Sequence, residues 1–439
     1  MKKRFKIRIE DFYALAGNEK DIKHYREISE EAHPHVSVNF FLIIISNTLT
    51  KLGDALSNPK TVLAWLMGYV NAPVSLISWL VPLRESGSML PQIFIASFIR
   101  KREIRKWVWV LGSLLQFGTI AGIGIVTMVF SGSSAGWLIL FLVIVFSLAR
   151  GLSSVASKDV LGKTIPKTRR GRLNGYSTAI SGVLALLSGL YMVHRSTRGA
   201  GIEFYTTLIF FASFLWVGGA AVYANIREYP GETTGGDNVF RGAIARMALL
   251  RTDKPFRNFV LSRALLLCSA LTAPFYVILA QNFLGKEVRI LGMFIIANGI
   301  ATSVSAPVWG RMADKSSKKV MVGGALITSL LGVLMFILIS WFPAMRNLSW
   351  LYPVAFCILG VAHSGVRLGR KTYVVNMAGG NKRTDYVSVS NTIIGLVLLV
   401  MGGISALASV LPPEGIILVL SLFGLAGAVS SSKLPEVES

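Results

Sequence analysis

The chain has 439 residues, 53% of them hydrophobic and 15% charged, with a formal net charge of +23 and two cysteines, Cys268 and Cys357. Soluble domains carry about 25% charged residues, so the balance points away from a soluble enzyme, and two cysteines supply neither a disulfide framework nor a cysteine-based metal site. Apolar stretches long enough to cross a bilayer recur along almost the whole length. In lipid every backbone polar group must be paired inside a helix or a closed barrel. These runs are too long and too uniformly apolar for barrel strands, so the expectation is an all-α integral membrane protein without a cofactor.

Residues 1–37 form a polar tail with Lys2, Lys3, Arg4, Lys6 and Arg8 near its start. Ile7, Ile9, Phe12, Tyr13 and Leu15 fit a short amphipathic helix on a membrane surface; a solvated tail is the equal alternative. The tail lacks the apolar core of a signal peptide, and His33 and His35 read as surface residues before a metal pair. Twelve spans follow, near 38–66, 74–99, 106–130, 135–158, 173–194, 203–226, 256–284, 288–310, 319–342, 349–373, 387–410 and 414–432. An even number puts both termini on one side. Most of the 45 Lys and Arg fall on that side, with Lys60 counted among the few opposite, which predicts cytoplasmic termini in a cell (inner) membrane. The basic charge is thereby topological, and nucleic acid drops out as a partner.

The longest internal polar stretch, 227–255, reads as a cytoplasmic linker between an N-terminal bundle (38–226) and a C-terminal bundle (256–432), with 433–439 a cytoplasmic tail. Phe240 to Leu250 fit a surface helix within the linker. The halves look like a repeat: Lys106 and Lys319 lie 213 residues apart, and the same offset relates Lys158 to Lys371 and Gly182 to Gly395.

Between the eighth and ninth spans runs Gly310-Arg311-Met312-Ala313-Asp314-Lys315-Ser316-Ser317-Lys318-Lys319, of the form Gly-x-x-x-Asp-Lys-x-x-Lys-Lys. This loop resembles the signature of the major facilitator superfamily of secondary transporters. The resemblance implies two parallel six-helix bundles around a central cavity, a small-molecule substrate near the midplane, and rocking of the halves. It also implies that Gly310 permits close approach of helix ends, while Asp314 pairs across the halves and locks the cytoplasmic side. The first-half copy carries Lys101 where the acid belongs. The family architecture places Asp314 near Arg172, and the repeat carries Arg172 onto Asp385, so a charge-swapped gate is expected: Asp314 with Arg172 and Lys101 with Asp385. Arg150-Gly151 resembles part of a motif tied to proton transfer in the family's exporters. Gly175, Gly182 and Gly189 form a stripe suited to close packing in the fifth span, but the Gly-Pro pair of the family's antiporters is missing there. Gly162-Lys163-Thr164 imitates a phosphate-binding loop, yet no strand precedes it and Ser157 replaces its first glycine.

Charges inside the spans are the remaining signal. Lys51, Asp54, Arg84, Glu85, Arg150, Arg263, His363 and Arg367 fall there, and each charge costs about 2.5–3.5 kcal/mol at a helix centre. One reading is an ion-pair network joining helices, with Lys51 and Asp54 neutralising each other one turn apart. The other makes Asp54 or Glu85 a proton carrier, His363 a third titratable candidate, and Arg84 or Arg367 an anion ligand. Trp65, Trp79 and Tyr276 are candidate cavity aromatics. The function expected is secondary active transport of a small anionic or polyhydroxylated solute by a proton-coupled monomer. A drug or lipid exporter of the same fold and a non-transporting membrane sensor are the alternatives.

Overall fold

A computed structural model describes residues 30–437 apart from 92–94, 96–97, 100, 196–200, 232, 234–246, 378–381 and 406–409. The amphipathic stretch predicted in the tail and most of the linker helix lie outside these residues. Among the described residues every regular element is helical. A 3-10 turn (Glu30–His35) enters α1 (Val36–Leu56), followed by α2 (Val62–Tyr69), α3 (Val74–Ile77), α4 (Leu80–Met89), α5 (Lys106–Val129), α6 (Gly132–Thr164), α7 (Lys167–Arg195) and α8 (Ile202–Ala224). The second half runs through α9 (Leu249–Thr252), α10 (Lys254–Leu265), α11 (Cys268–Leu271), α12 (Ala273–Leu284), α13 (Val288–Ala313), α14 (Ser317–Trp341), α15 (Pro343–Arg346), α16 (Leu351–Met377), α17 (Lys382–Ser405) and α18 (Pro413–Ser432). Eleven helical stretches among the described residues are long and apolar enough to cross a membrane. The other predicted span, near 74–99, is represented by α3 and α4, and part of its remainder lies outside the described residues.

The first span of each half is broken at matching depth. Pro59 has no N–H to donate and its ring cannot follow a helical turn. The chain therefore leaves α1 at Ser57 and re-enters a helix at Val62. The freed backbone groups find partners: Lys60 N–H donates to Asn58 Oδ1 (2.8 Å) and Leu63 N–H to Asn58 O (3.0 Å). In the second half α10, α11 and α12 are separate segments, with Pro274 in the first turn of α12. The 213-residue offset carries Pro59 onto Thr272, the residue just before α12.

The two ends of the molecule are built differently. On the side away from the described termini, one apolar core runs through both halves, joining Trp65 and Leu66 to Tyr276, Leu279 and Phe294. Polar contacts reinforce it: Gln281 Nε2 donates to Trp65 O (2.8 Å), and Lys286 Nζ to Asn71 Oδ1 (2.7 Å). On the terminal side each half has its own core, one around Phe40, Trp109 and Tyr223, the other around Phe256, Phe259 and Tyr373.

The α7–α13 contact between halves shows the same taper. A β-carbon built on Gly189 would lie 3.0 Å from Gly292 O and 2.8 Å from Ile296 Cγ1. At Gly182 the nearest atom would be Ser303 Oγ at 3.6 Å, and at Gly175 and Gly310 nothing lies within 4 Å. The helices touch at the far end and diverge toward the termini. Of the predicted glycine stripe, only Gly189 is in tight contact, and Gly310 has open space beside it. Trp65 and Tyr276 are wholly buried in the shared core at the closed end, and Trp79 packs on Gly402; none of the three lines the cavity.

Candidate functional site

The divergence encloses a central cavity of about 470 Å³ between the halves. Its charged lining is Lys51, Lys60, Arg84, Arg150 and Arg367 against two carboxylates, Asp54 and Glu85. His363 lines it too, so all six predicted pathway residues meet at one place. The neutral wall includes Thr178, Ser181, Asn298 and Thr302.

Asp54 is the hub of the N-terminal side. Its Oδ1 pairs with Arg84 (3.3 Å) and its Oδ2 with Arg150. The clamp ties α1, α4 and α6, and Phe146 supports it with its ring 4.4 Å beneath the Arg84 guanidinium. Lys51 is not the counter-ion of Asp54 that its one-turn spacing suggests. It reaches across to α7, donating to Ser177 Oγ (2.9 Å) and Thr178 Oγ1 (2.7 Å). Direct pairing with two guanidiniums outcompetes a neighbour on the same helix, whose flexible stem finds neutral acceptors.

The opposite wall is organised around Lys60 and His363. Ser269 Oγ is within 2.9 Å of Leu266 O, to which its hydroxyl donates. The same oxygen lies 3.0 Å from His363 Nδ1, so it accepts from an Nδ1–H. That leaves Nε2 bare, facing Lys60 Nζ at 3.1 Å, where it accepts from the ammonium. His363 is thus read as a neutral Nδ1–H tautomer. Arg367, one turn along, is exposed to the cavity and carries no ion pair or hydrogen bond among the described residues. Glu85 likewise has no carboxylate partner within ion-pair distance among the described residues, although Lys60, Arg84, Arg367 and Arg370 all act on it electrostatically.

Two charged residues that sequence reasoning passed over belong here. Lys60, counted with the opposite-side charges, lines the cavity because Pro59 breaks the helix at mid-depth. Arg370 lies behind Arg367, only 9% exposed and with its Nε unsatisfied. The signal for it was present: positions 363, 367, 370 and 371 follow the i, i+4, i+7, i+8 spacing of one helix face. Arg263 sits in the neighbouring α10, donating to Ser390 Oγ and Asn391 Oδ1 and not lining the cavity.

The gate residues lie at the terminal ends of the helices. Asp314 closes α13 and is exposed, as is Lys101, and neither holds an ion pair among the described residues. Arg172 lies in the second turn of α7 and Asp385 in the first turn of α17. At this end each half keeps its own apolar core. Lys318 instead pairs with Glu436 (3.1 Å), which also accepts from Ser316, the N-cap of α14 whose Oγ accepts from Lys319 N–H.

Paired helical bundles around a polar cavity closed at one end are the architecture of secondary-transporter folds. The chain belongs to the Major Facilitator Superfamily, which it matches over residues 43–396. An uncharacterized protein of Mycobacterium tuberculosis (strain ATCC 25618 / H37Rv) is 23% identical over 325 residues, covering 72% of this chain. The chain spans about 59% of the length of the curated relatives it matches. Among solved structures it is similar to a POT family transporter in complex with 5-aminolevulinic acid (TM-score 0.67, 12% identity, 89% of this chain and 94% of that one). It is similar also to the inward-open xylose transporter XylE from E. coli (TM-score 0.64, 12% identity, 91% and 97%). A third is the nucleoside transporter NupG (TM-score 0.63, 11% identity, 90% and 98%). At these identities the likeness concerns the fold.

Proposed function

We propose that this protein is a proton-coupled secondary transporter of small organic anions. The observation that carries the reading is the charge balance of the cavity, five cations against two carboxylates. Uncompensated charge in a low-dielectric site is costly, and an anionic solute relieves it. Glu85 is the carboxylate suited to exchange protons, since it faces the cavity unpaired while Asp54 is committed to two guanidiniums. An anion seated beside Glu85 repels its charge, so proton and anion favour each other's binding, and by linkage the coupling is reciprocal. With the termini in the cytoplasm, as the distribution of Lys and Arg argues, the structure corresponds to an inward-facing state in a cell membrane. Asp314 with Arg172, and Lys101 with Asp385, would then hold the outward-facing state.

The test is flux in proteoliposomes carrying an imposed pH gradient, with a panel of carboxylates, phosphates, polyols and amphiphilic drugs. The expected result is gradient-driven accumulation of an anion. Glu85→Gln should abolish accumulation yet retain exchange of labelled for unlabelled anion. Accumulation by Glu85→Gln equal to wild type would refute the coupling, and movement of amphiphiles alone would replace this reading with the exporter.

A further inference from the structure

Resting on the anion reading above, we infer that the cavity contains a built oxyanion subsite, formed by Lys60 and Arg367 and positioned by His363, that receives a phosphoryl dianion.

The wall around Lys60 and His363 has more positive charge than its protein partners neutralise. Lys60 and Arg367 face the cavity, Glu85 is the one lining carboxylate near them, and its oxygens contact neither within ion-pair distance. Arg370 is buried directly behind with an unsatisfied Nε, and Arg263 stands beyond it, also buried with an unsatisfied Nε and only neutral acceptors. Asp54, the other lining carboxylate, is spent on Arg84 and Arg150. A single negative charge leaves this wall cationic. A phosphate monoester carries a charge of about −1.5 to −2 near neutral pH and three acceptor oxygens.

The donors match that group. The Lys60 ammonium has three N–H bonds. One is directed at the bare Nε2 of His363, which leaves two for a ligand. The Arg367 guanidinium offers its planar fork with no described group occupying it, and such forks bind phosphate oxygens in pairs. His363 is therefore a positioning residue. Its Nδ1–H is anchored through Ser269 to the Leu266 carbonyl, so the ring cannot turn without breaking two hydrogen bonds, and Lys60 is aimed by an acceptor held fixed. The remaining lining includes neutral hydroxyl and amide groups, Thr178, Ser181, Asn298 and Thr302, suited to the hydroxyls of a small esterified body. The cavity of about 470 Å³ falls within the range of about 300–1,000 Å³ usual for small-molecule sites.

The experiment measures ligand-induced thermal stabilisation of the purified full chain, fitted for Kd. The probes are inorganic phosphate, glycerol 3-phosphate and glucose 6-phosphate, with glycerol, glucose, lactate and succinate as comparators. One or more phosphoryl probes should bind at least tenfold more tightly than every comparator. Binding by phosphate alone identifies the free ion as the occupant, and preference for an ester identifies a phosphorylated metabolite. Arg367→Gln and Lys60→Gln should each weaken phosphoryl binding by about ten- to a hundredfold, the loss expected for a hydrogen bond to a charged group. His363→Gln keeps an acceptor for Lys60 and should retain most of the affinity. His363→Phe should behave like the Lys60 variant, a split that loss of packing would not produce. Arg367 is exposed to the cavity, so its variant remains informative if Lys60→Gln fails to fold. Lactate or succinate binding as tightly as phosphates, or unchanged phosphoryl affinity in Arg367→Gln, would overturn the subsite while leaving the anion reading intact. Binding confined to glycerol or glucose would overturn both.

Discussion

Glu228 shows how a residue from an unpromising stretch organises a helix end. Its side chain is fully buried, and its carboxylate accepts from the backbone N–H groups of Arg105 and Lys106 and from Lys163 Nζ (3.0 Å). A carboxylate at the positive end of α5 also meets the helix dipole favourably. Glu228→Ala leaves two amides unmatched, while Lys163 keeps Asp159 and the Glu103 carbonyl, and should cost about 2 kcal/mol, read as a lower unfolding midpoint in detergent. Glu436 plays the corresponding part at α14 but is 46% exposed, so Glu436→Ala should cost less than about 1 kcal/mol. Burial opposes ionisation of Glu436, but hydrogen bonds from Lys318 and Ser316 outweigh it and hold the carboxyl below its usual range. A depressed carboxyl stabilises the fold above its unfolded pKa, and that contribution is lost as pH falls through the folded value. The strap of residues 433–437 should therefore loosen on acidification below about pH 4, detectable as faster proteolytic trimming of the C-terminus. The sequence presented Glu228 only as part of a polar linker, because nothing local reveals that the chain turns back onto α5.

At the scale of elements, the α7–α13 pair acts as the hinge side of the wedge. Gly189 has no room for a side chain, whereas Gly175 has open space. Gly189→Val should force the far ends of α7 and α13 apart. Spin labels at Ser131 and Asn347, in exposed loops of the two halves on the far side, should then move further apart, while Gly175→Val leaves that distance unchanged. The spacing of the glycines at seven-residue intervals identified a stripe but not which member bears the contact. That depends on the tilt between two helices far apart in sequence, which no local pattern encodes.

For the whole molecule, the expected gate yields a charge-reversal test. Asp314→Arg should reduce transport severalfold by repelling Arg172, and adding Arg172→Asp should restore much of it. Coupling energies for contacting charges run about 0.5–3 kcal/mol, enough to register in flux. An unchanged rate in Asp314→Arg would exclude the pair. The sequence by itself determined the helical membrane fold and the family, because lipid solvation imposes long apolar runs and the loop at 310–319 is local. It also singled out Asp54, Arg84, Glu85, Arg150, His363 and Arg367, because charge within an apolar run stands out on its own. Only the tertiary structure decided who partners whom: that Asp54 holds Arg84 and Arg150, that Lys51 turns to α7, and that Pro59 delivers Lys60 to the cavity. Ion pairing is a contest among groups brought together from distant helices, and its winner is fixed by distance and burial that exist only once the halves have packed.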